Sequence, residues 1–209
     1  MITIDDKLPF IKKDNFLLLF PDILPASFNQ NIKNWLKTGK LIKLKRGLYI
    51  TKDYYEKCAD KDGYVEYLSS IINFPSYISK ETALSKYGML SEAVFGMSAV
   101  SSKATRSYIS GISVFTYSKI KETLFNGFHE EFFLENRYYF AKKSKALFDY
   151  LYFQKRKLRK INGESINSLR VNFEKMDKKD WDEFEEYLKI AKSAKMNSIY
   201  KVIRAQYAV

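Results

Sequence analysis

One cysteine, Cys58, and one histidine, His129, are all that this 209-residue chain carries of those two residue types. A single cysteine excludes an internal disulfide and a cysteine zinc site; a single histidine excludes a multi-histidine metal centre. The two are far apart in sequence and suggest no catalytic dyad. No P-loop, GxGxxG, HExxH or GxSxG motif occurs. Carboxylates such as Glu130, Glu131 and Asp149 are available, but no spacing pairs them. Neither an enzyme nor a cofactor is expected. Long apolar runs are missing too: a stretch such as Phe16 to Phe20 is far too short to span a bilayer. The opening MITIDDKLPF lacks a basic region followed by a long apolar stretch, so no signal peptide is expected. The expectation is a cytoplasmic protein with no membrane partner.

What is present is apolar and basic. Hydrophobic residues make up 46% and aromatics 16%, enough for packed cores in one large or two small domains. The net charge is +12, which favours polyanionic partners. A composition rich in Lys, Asn and Ile carries some of that charge regardless of function, so its location matters more than its size. Residues 1–52 hold ten basic and four acidic residues, half of the surplus in a quarter of the chain.

Ser27 to Lys52, SFNQNIKNWLKTGKLIKLKRGLYITK, has seven basic residues and no acid. Upstream, Asp14 can cap a short helix carrying Phe16, Leu17, Leu19 and Phe20, which Pro21 stops. Ser27 then reads as the N-cap of a second helix whose apolar positions Phe28, Ile32, Trp35 and Leu36 form one face. The opposite face offers Asn29, Gln30, Lys33, Asn34 and Lys37. A merely soluble helix face would mix in some Glu for ion pairing. Amides can pair bidentately with adenine and lysines can contact phosphate. Gly39 follows as a left-handed stop. Ile42 and Leu44 then alternate with Lys43 and Lys45, Arg46-Gly47 supplies a turn, and Leu48 and Ile50 return. The alternation places Lys43, Lys45 and Arg46 together on the outer face and tip of this hairpin. A basic helix followed by a basic hairpin is what a winged helix-turn-helix lays on double-stranded DNA.

The polar break from Asp60 to Gly63 is a plausible domain boundary. Tyr64, Tyr67, Leu68, Ile71 and Ile72 give an amphipathic helix, and Ser79 caps the next, with Ala83, Leu84 and Tyr87 inward and Gly88 at its end. Strand patterning covers Met97 to Ser101, Gly111 to Ser118 and Glu131 to Leu134. Helical period returns from Ser144 to Tyr152. Asp177 caps a helix burying Trp181, Phe184, Leu188 and Ala191, and Asn197 starts a last one. The fold class expected is α+β, without an alternating βαβ series. Two basic clusters lie outside the N-terminal region. Ser101, Ser102, Lys103, Thr105 and Arg106 can bind phosphate but read as a plain loop. Lys155 to Lys160 (KRKLRK) reads as a solvated helix end.

The run GKLIKLKRGLYI resembles the N-terminal winged helix of AbiEi-type antitoxins from abortive-infection toxin–antitoxin systems. PSYISKETALSKYGML (Pro75 to Leu90), FTYSKIKETLFNGF (Phe115 to Phe128) and YYFAKKSKALFDYLYF (Tyr138 to Phe153) resemble later segments of that family, in family order. Together they cover most of residues 10–155. The family usually has a Pro-Glu where this chain has the lysines of AKKSKAL, and the tail after Lys160 has no counterpart. The resemblance implies a winged helix over 1–58 and an α+β antitoxin domain with C-terminal helices over 59–209. It implies autorepression of the operon through operator DNA, and counteraction of a nucleotidyltransferase-like toxin by contact or only functionally. The DNA-binding residues expected are Asn29, Gln30, Lys33, Asn34, Lys37, Lys43, Lys45 and Arg46. An RNA-binding or RNA-processing protein that stacks bases on exposed aromatics, or a protein-only interaction module, are the alternatives.

Overall fold

The computed structural model of the chain describes residues 8–18 and 23–207. A two-residue strand, β1 (Ile11–Lys12), runs straight into helix α1 (Lys13–Leu18). Asp14 lies inside the first turn of α1 rather than capping it, where its carboxylate still meets the positive helix end. Leu19, Phe20 and Pro21, expected to complete and stop this helix, fall outside the described residues. Helix α2 (Pro25–Lys37) starts three residues earlier than Ser27 as its cap predicts. Pro25 takes the first helical turn, where its missing N–H costs nothing and its fixed φ is already helical; Leu24 occupies the cap position without a side-chain bond. Strands β2 (Leu41–Lys45) and β3 (Leu48–Thr51) form the expected hairpin about Arg46-Gly47, with Gly47 at φ +77°. These strands make a three-stranded antiparallel sheet in the order β1-β3-β2.

That small sheet is covered on both faces. Ile11, Leu41 and Tyr49 pack with Phe28 and Ile32 of α2 in a small core of their own. Burying a side chain like Phe28 or Ile32 contributes roughly 2 kcal/mol. Leu44, Leu48 and Ile50 belong instead to the large core that runs through the rest of the molecule. Strand β2 is buried at Leu41 and Leu44 with Lys43 exposed, whereas every residue of β3 is buried.

Helix α3 (Lys52–Lys57) follows directly, with Thr51 Oγ1 accepting from Tyr54 N–H at 3.1 Å. The polar break at Asp60 to Gly63 is the start of helix α4 (Lys61–Ile72), capped by Asp60 Oδ1 on Gly63 N–H at 2.8 Å. Hydrophobic contact does not pause there, because Tyr64, Leu68 and Ile72 share the large core with Leu44 and Ile50 of the hairpin. The Tyr64 hydroxyl also donates to the Pro9 carbonyl, a second tie across the expected boundary.

The remaining elements are β4 (Ser76–Ile78), α5 (Lys80–Lys86), β5 (Met97–Ser101), β6 (Arg106–Ile109), β7 (Val114–Lys119), β8 (Phe128–Phe133), β9 (Asn136–Ala141), α6 (Lys143–Gln154), α7 (Gly163–Asn167), α8 (Lys178–Ala191) and α9 (Ala194–Tyr207). The six strands form one mixed sheet, β6-β7-β5-β4-β9-β8. β5 runs parallel to β7, and β4 parallel to β9; the other pairs are antiparallel. The chain is thus α+β, as its patterning predicts. Strands β4, β6 and β9 carry no separate signal in the sequence reading, and β7 and β8 begin three residues away from their expected starts. Ser79 precedes α5 as predicted but makes no capping bond; its hydroxyl donates to buried Asp149 at 2.8 Å. Asp177 does cap α8, in a reciprocal box with Asp180. Trp181, Phe184, Leu188 and Ala191 are buried as expected, while α9 begins at Ala194 rather than Asn197. Among the described residues, no helix is long and apolar enough to cross a membrane.

Candidate nucleic-acid interface

Helix α2 presents two chemically distinct faces because its apolar residues recur at helical spacing. Phe28 and Ile32 are buried, and Trp35 and Leu36 are half-buried against the same core. Gln30, Lys33, Asn34 and Lys37 face solvent on the other side, and Asn29 is half-buried between the two. Gln30 Nε2 donates to Asn34 Oδ1 at 3.2 Å, one turn on, so the two amides hold each other in orientation. Thr38 Oγ1 donates to the Asn34 carbonyl at 2.9 Å and closes the helix end before Gly39, at φ +71°. No acidic residue occurs on α2, so this face combines amide donors and acceptors with uncompensated positive charge.

The hairpin divides the three cations predicted for it. Lys43 and Arg46 are exposed. Lys45 is not, in effect, beside them: a β-bulge shifts the register between Lys43 and Lys45. The Lys45 ammonium turns back into the molecule and donates to the Ile72 carbonyl at the end of α4, 2.6 Å away. That placement corrects the reading of Lys45 as an outer-face residue. Strict alternation assumes an unbroken ladder, and an extra residue breaks the alternation. A helix C-terminus also attracts an ammonium, both by dipole and by its unsatisfied carbonyls. The hairpin tip does not project freely, since Lys13 N–H donates to the Gly47 carbonyl at 2.9 Å.

Around Lys45 stand cations that the sequence reading did not bring together. Burial, and then Lys12, Lys103 and Arg106 in turn, push the Lys45 ammonium below its ordinary range. Lys103 lies in the β5–β6 connection and Arg106 is the first residue of β6, a stretch that the sequence presents only as a polar loop. Their proximity to the hairpin is tertiary and has no local signal.

The other basic run reads as its sequence suggests. Arg156, Lys157, Arg159 and Lys160 are exposed beyond the end of α6. The Lys155 ammonium sits 3.5 Å from the centroid of the Tyr152 ring and is pushed down by burial and then by Arg156, Lys121 and Lys195. A base-stacking surface needs exposed rings. Among the described residues no tyrosine is exposed, and the exposed phenylalanines are Phe74, Phe95 and Phe132. The tyrosines and phenylalanines are chiefly core material. Compared with models of known families the chain matches none, and no curated protein matches it.

Proposed function

We propose that this chain binds double-stranded DNA through the outer face of α2 and the β2–β3 hairpin, as a winged helix-turn-helix does. On this reading α2 enters a major groove, with Gln30, Asn34 and half-buried Asn29 at base edges and Lys33 and Lys37 at phosphates. Lys43 and Arg46 hold the adjoining backbone. The observation that carries the proposal is the pairing of one acid-free, amide-and-lysine helix face with the β2–β3 hairpin directly after it, which closes a three-stranded sheet ordered β1-β3-β2. A recognition helix followed by a two-stranded wing that closes back on a first short strand has this layout.

The resemblance to AbiEi-type antitoxins extends the proposal. The protein represses its own toxin–antitoxin operon, acts in the cytoplasm, and counteracts a nucleotidyltransferase-like toxin through the body from about residue 59, by contact or through the toxin's target. Its chemistry is binding rather than catalysis, and it needs no cofactor. The test is titration of the full chain onto the duplex upstream of its own coding sequence, against a shuffled duplex of equal length. The expected result is tighter binding to the upstream duplex, falling steeply with salt. Equal, salt-insensitive binding to both would overturn it. Rescue of growth on co-expression with the neighbouring nucleotidyltransferase tests the antitoxin half separately.

A further inference from the structure

Two sheet edges face each other in this molecule. β2 is the outer strand of the small sheet and β6 the outer strand of the large one. They lie side by side without pairing, across a groove of about 530 Å³ lined by residues 41–46 and 107–111. The approach is close at one end, where a side chain on Gly111 would come within 3.3 Å of Ile42 Cγ2. The body of β6 and the turn after it, Ser107 to Gly111, therefore lie along the basic hairpin, and Arg106 stands at the head of the same strand.

The positive charge gathers at this junction from three separate parts of the chain. Lys45 Nζ donates to the Ile72 carbonyl at 2.6 Å, and Lys103 Nζ to the Phe74 carbonyl at 2.5 Å. Both ammonium groups thus close the same end of α4, two residues apart. Lys12 and Arg106 lie within electrostatic reach of Lys45. Capping explains where Lys45 and Lys103 sit; it explains neither Arg106 nor the exposed Lys43 and Arg46 beside them. Among the described residues none of Lys12, Lys43, Arg46, Lys103 or Arg106 is in an ion pair. Like charges so gathered repel one another, and a polyanion relieves that repulsion. Phe74, 64% exposed in the turn that Lys103 ties down, gives the surface an apolar element of the kind that rests on sugar or base.

We infer that the DNA interface continues from the hairpin onto the body, where Lys103 and Arg106 bind the phosphate backbone of the same duplex beside the stretch held by Lys43 and Arg46. The inference rests on the DNA-binding reading above. It makes the body part of the reader, and it gives the β5–β6 loop a task that its sequence does not announce. The contacts are to phosphates, so they add affinity and fix orientation without choosing sequence.

Fluorescence anisotropy with a labelled duplex from the upstream region tests it, using the full chain across a series of salt concentrations. K103Q/R106Q is compared with K43Q/R46Q and with wild type. Each lost phosphate contact lowers the slope of log affinity against log salt by about 0.9, so both double variants should lose about two units. K103R/R106K should keep the wild-type slope, which separates charge from any loss of folding. A wild-type slope in K103Q/R106Q, with a reduced one in K43Q/R46Q, overturns this inference and leaves the hairpin assignment standing. No salt-dependent binding in the wild type overturns the underlying reading instead. Poly-glutamate bound as tightly as the duplex, with the same loss in K103Q/R106Q, overturns the assignment to a phosphate backbone.

Discussion

Lys145 and Asp149 lie one turn apart on α6, both wholly shielded from solvent, and the Lys145 ammonium donates to Asp149 Oδ1. The other carboxylate oxygen accepts from the Tyr77 hydroxyl at 2.9 Å and from the Ser79 hydroxyl at 2.8 Å. The ammonium is enclosed by the rings of Tyr77, Phe148 and Tyr187, at 5.6, 5.0 and 5.4 Å from their centroids. Burial pushes the Lys145 ammonium below its ordinary range, and Asp149 opposes that push. This network binds β4 to α6 at the centre of the body and offers no route to a ligand. Its role is structural.

Removing one partner of such a pair leaves the other charge buried and uncompensated, which costs about 3–5 kcal/mol. Asp149→Ala should be worse than Lys145→Met, because it also orphans the Tyr77 and Ser79 hydroxyls. Lys145→Met/Asp149→Ala should cost less than the two singles together. Urea unfolding of the three variants measures this; strictly additive losses would show that the two residues are not coupled.

A second prediction separates Lys43 from Lys45, adjacent in pattern but divided by the bulge. Lys43→Ala should lower the salt slope of DNA binding by about 0.9 and leave the unfolding midpoint unchanged. Lys45→Met should cost about 1 kcal/mol of stability by freeing the Ile72 carbonyl. Its effect on the salt slope should be the smaller of the two. The reverse pattern would return Lys45 to the DNA-facing surface.

The amides of α2 should decide sequence preference. Gln30→Ala or Asn34→Ala should shrink the gap between preferred and shuffled duplexes by about 1–3 kcal/mol, and Lys33→Ala or Lys37→Ala should weaken both duplexes alike. Gln30 and Asn34 bond each other, so their double variant should fall short of the sum. Binding to a panel of single-base variants of the upstream duplex reads this directly. Uniform weakening by Gln30→Ala would reassign that residue to the backbone.

What the sequence disclosed and what it withheld follow from the range of the forces involved. The face of α2 was legible, because Phe28 and Ile32 repeat at helical spacing, and so was the Arg46-Gly47 turn, because glycine alone takes positive φ without strain. The α8 start was legible from Asp177. Ser79 shows the limit: its local environment says cap, but a carboxylate 70 residues away is the better acceptor in a dry core. Likewise β6 has exposed positions along most of its length and no apolar alternation to betray it. The gathering of Lys12, Lys45, Lys103 and Arg106 is set by which sheet edges meet, and no spacing in the chain records that.

The buried phenols make a last prediction, about alkali. Burial is the first cause in each case. It pushes Tyr87, Tyr150 and Tyr187 up to about 12, and Tyr64, Tyr77, Tyr117 and Tyr138 still further, from an ordinary value of 10.0. The folded chain therefore holds these protons to higher pH than the unfolded chain does. By linkage, the stability they contribute is fully present below pH 10 and is lost as pH rises from there towards 12 and beyond. Several phenols act together, so the loss should be steep and the chain should unfold before the most buried of them ionise in place. Tyrosinate absorbance and far-ultraviolet circular dichroism should then rise and fall together in one transition above pH 10. Smooth ionisation of all 16 tyrosines near pH 10 with the dichroism unchanged would mean that the rings are not enclosed as described.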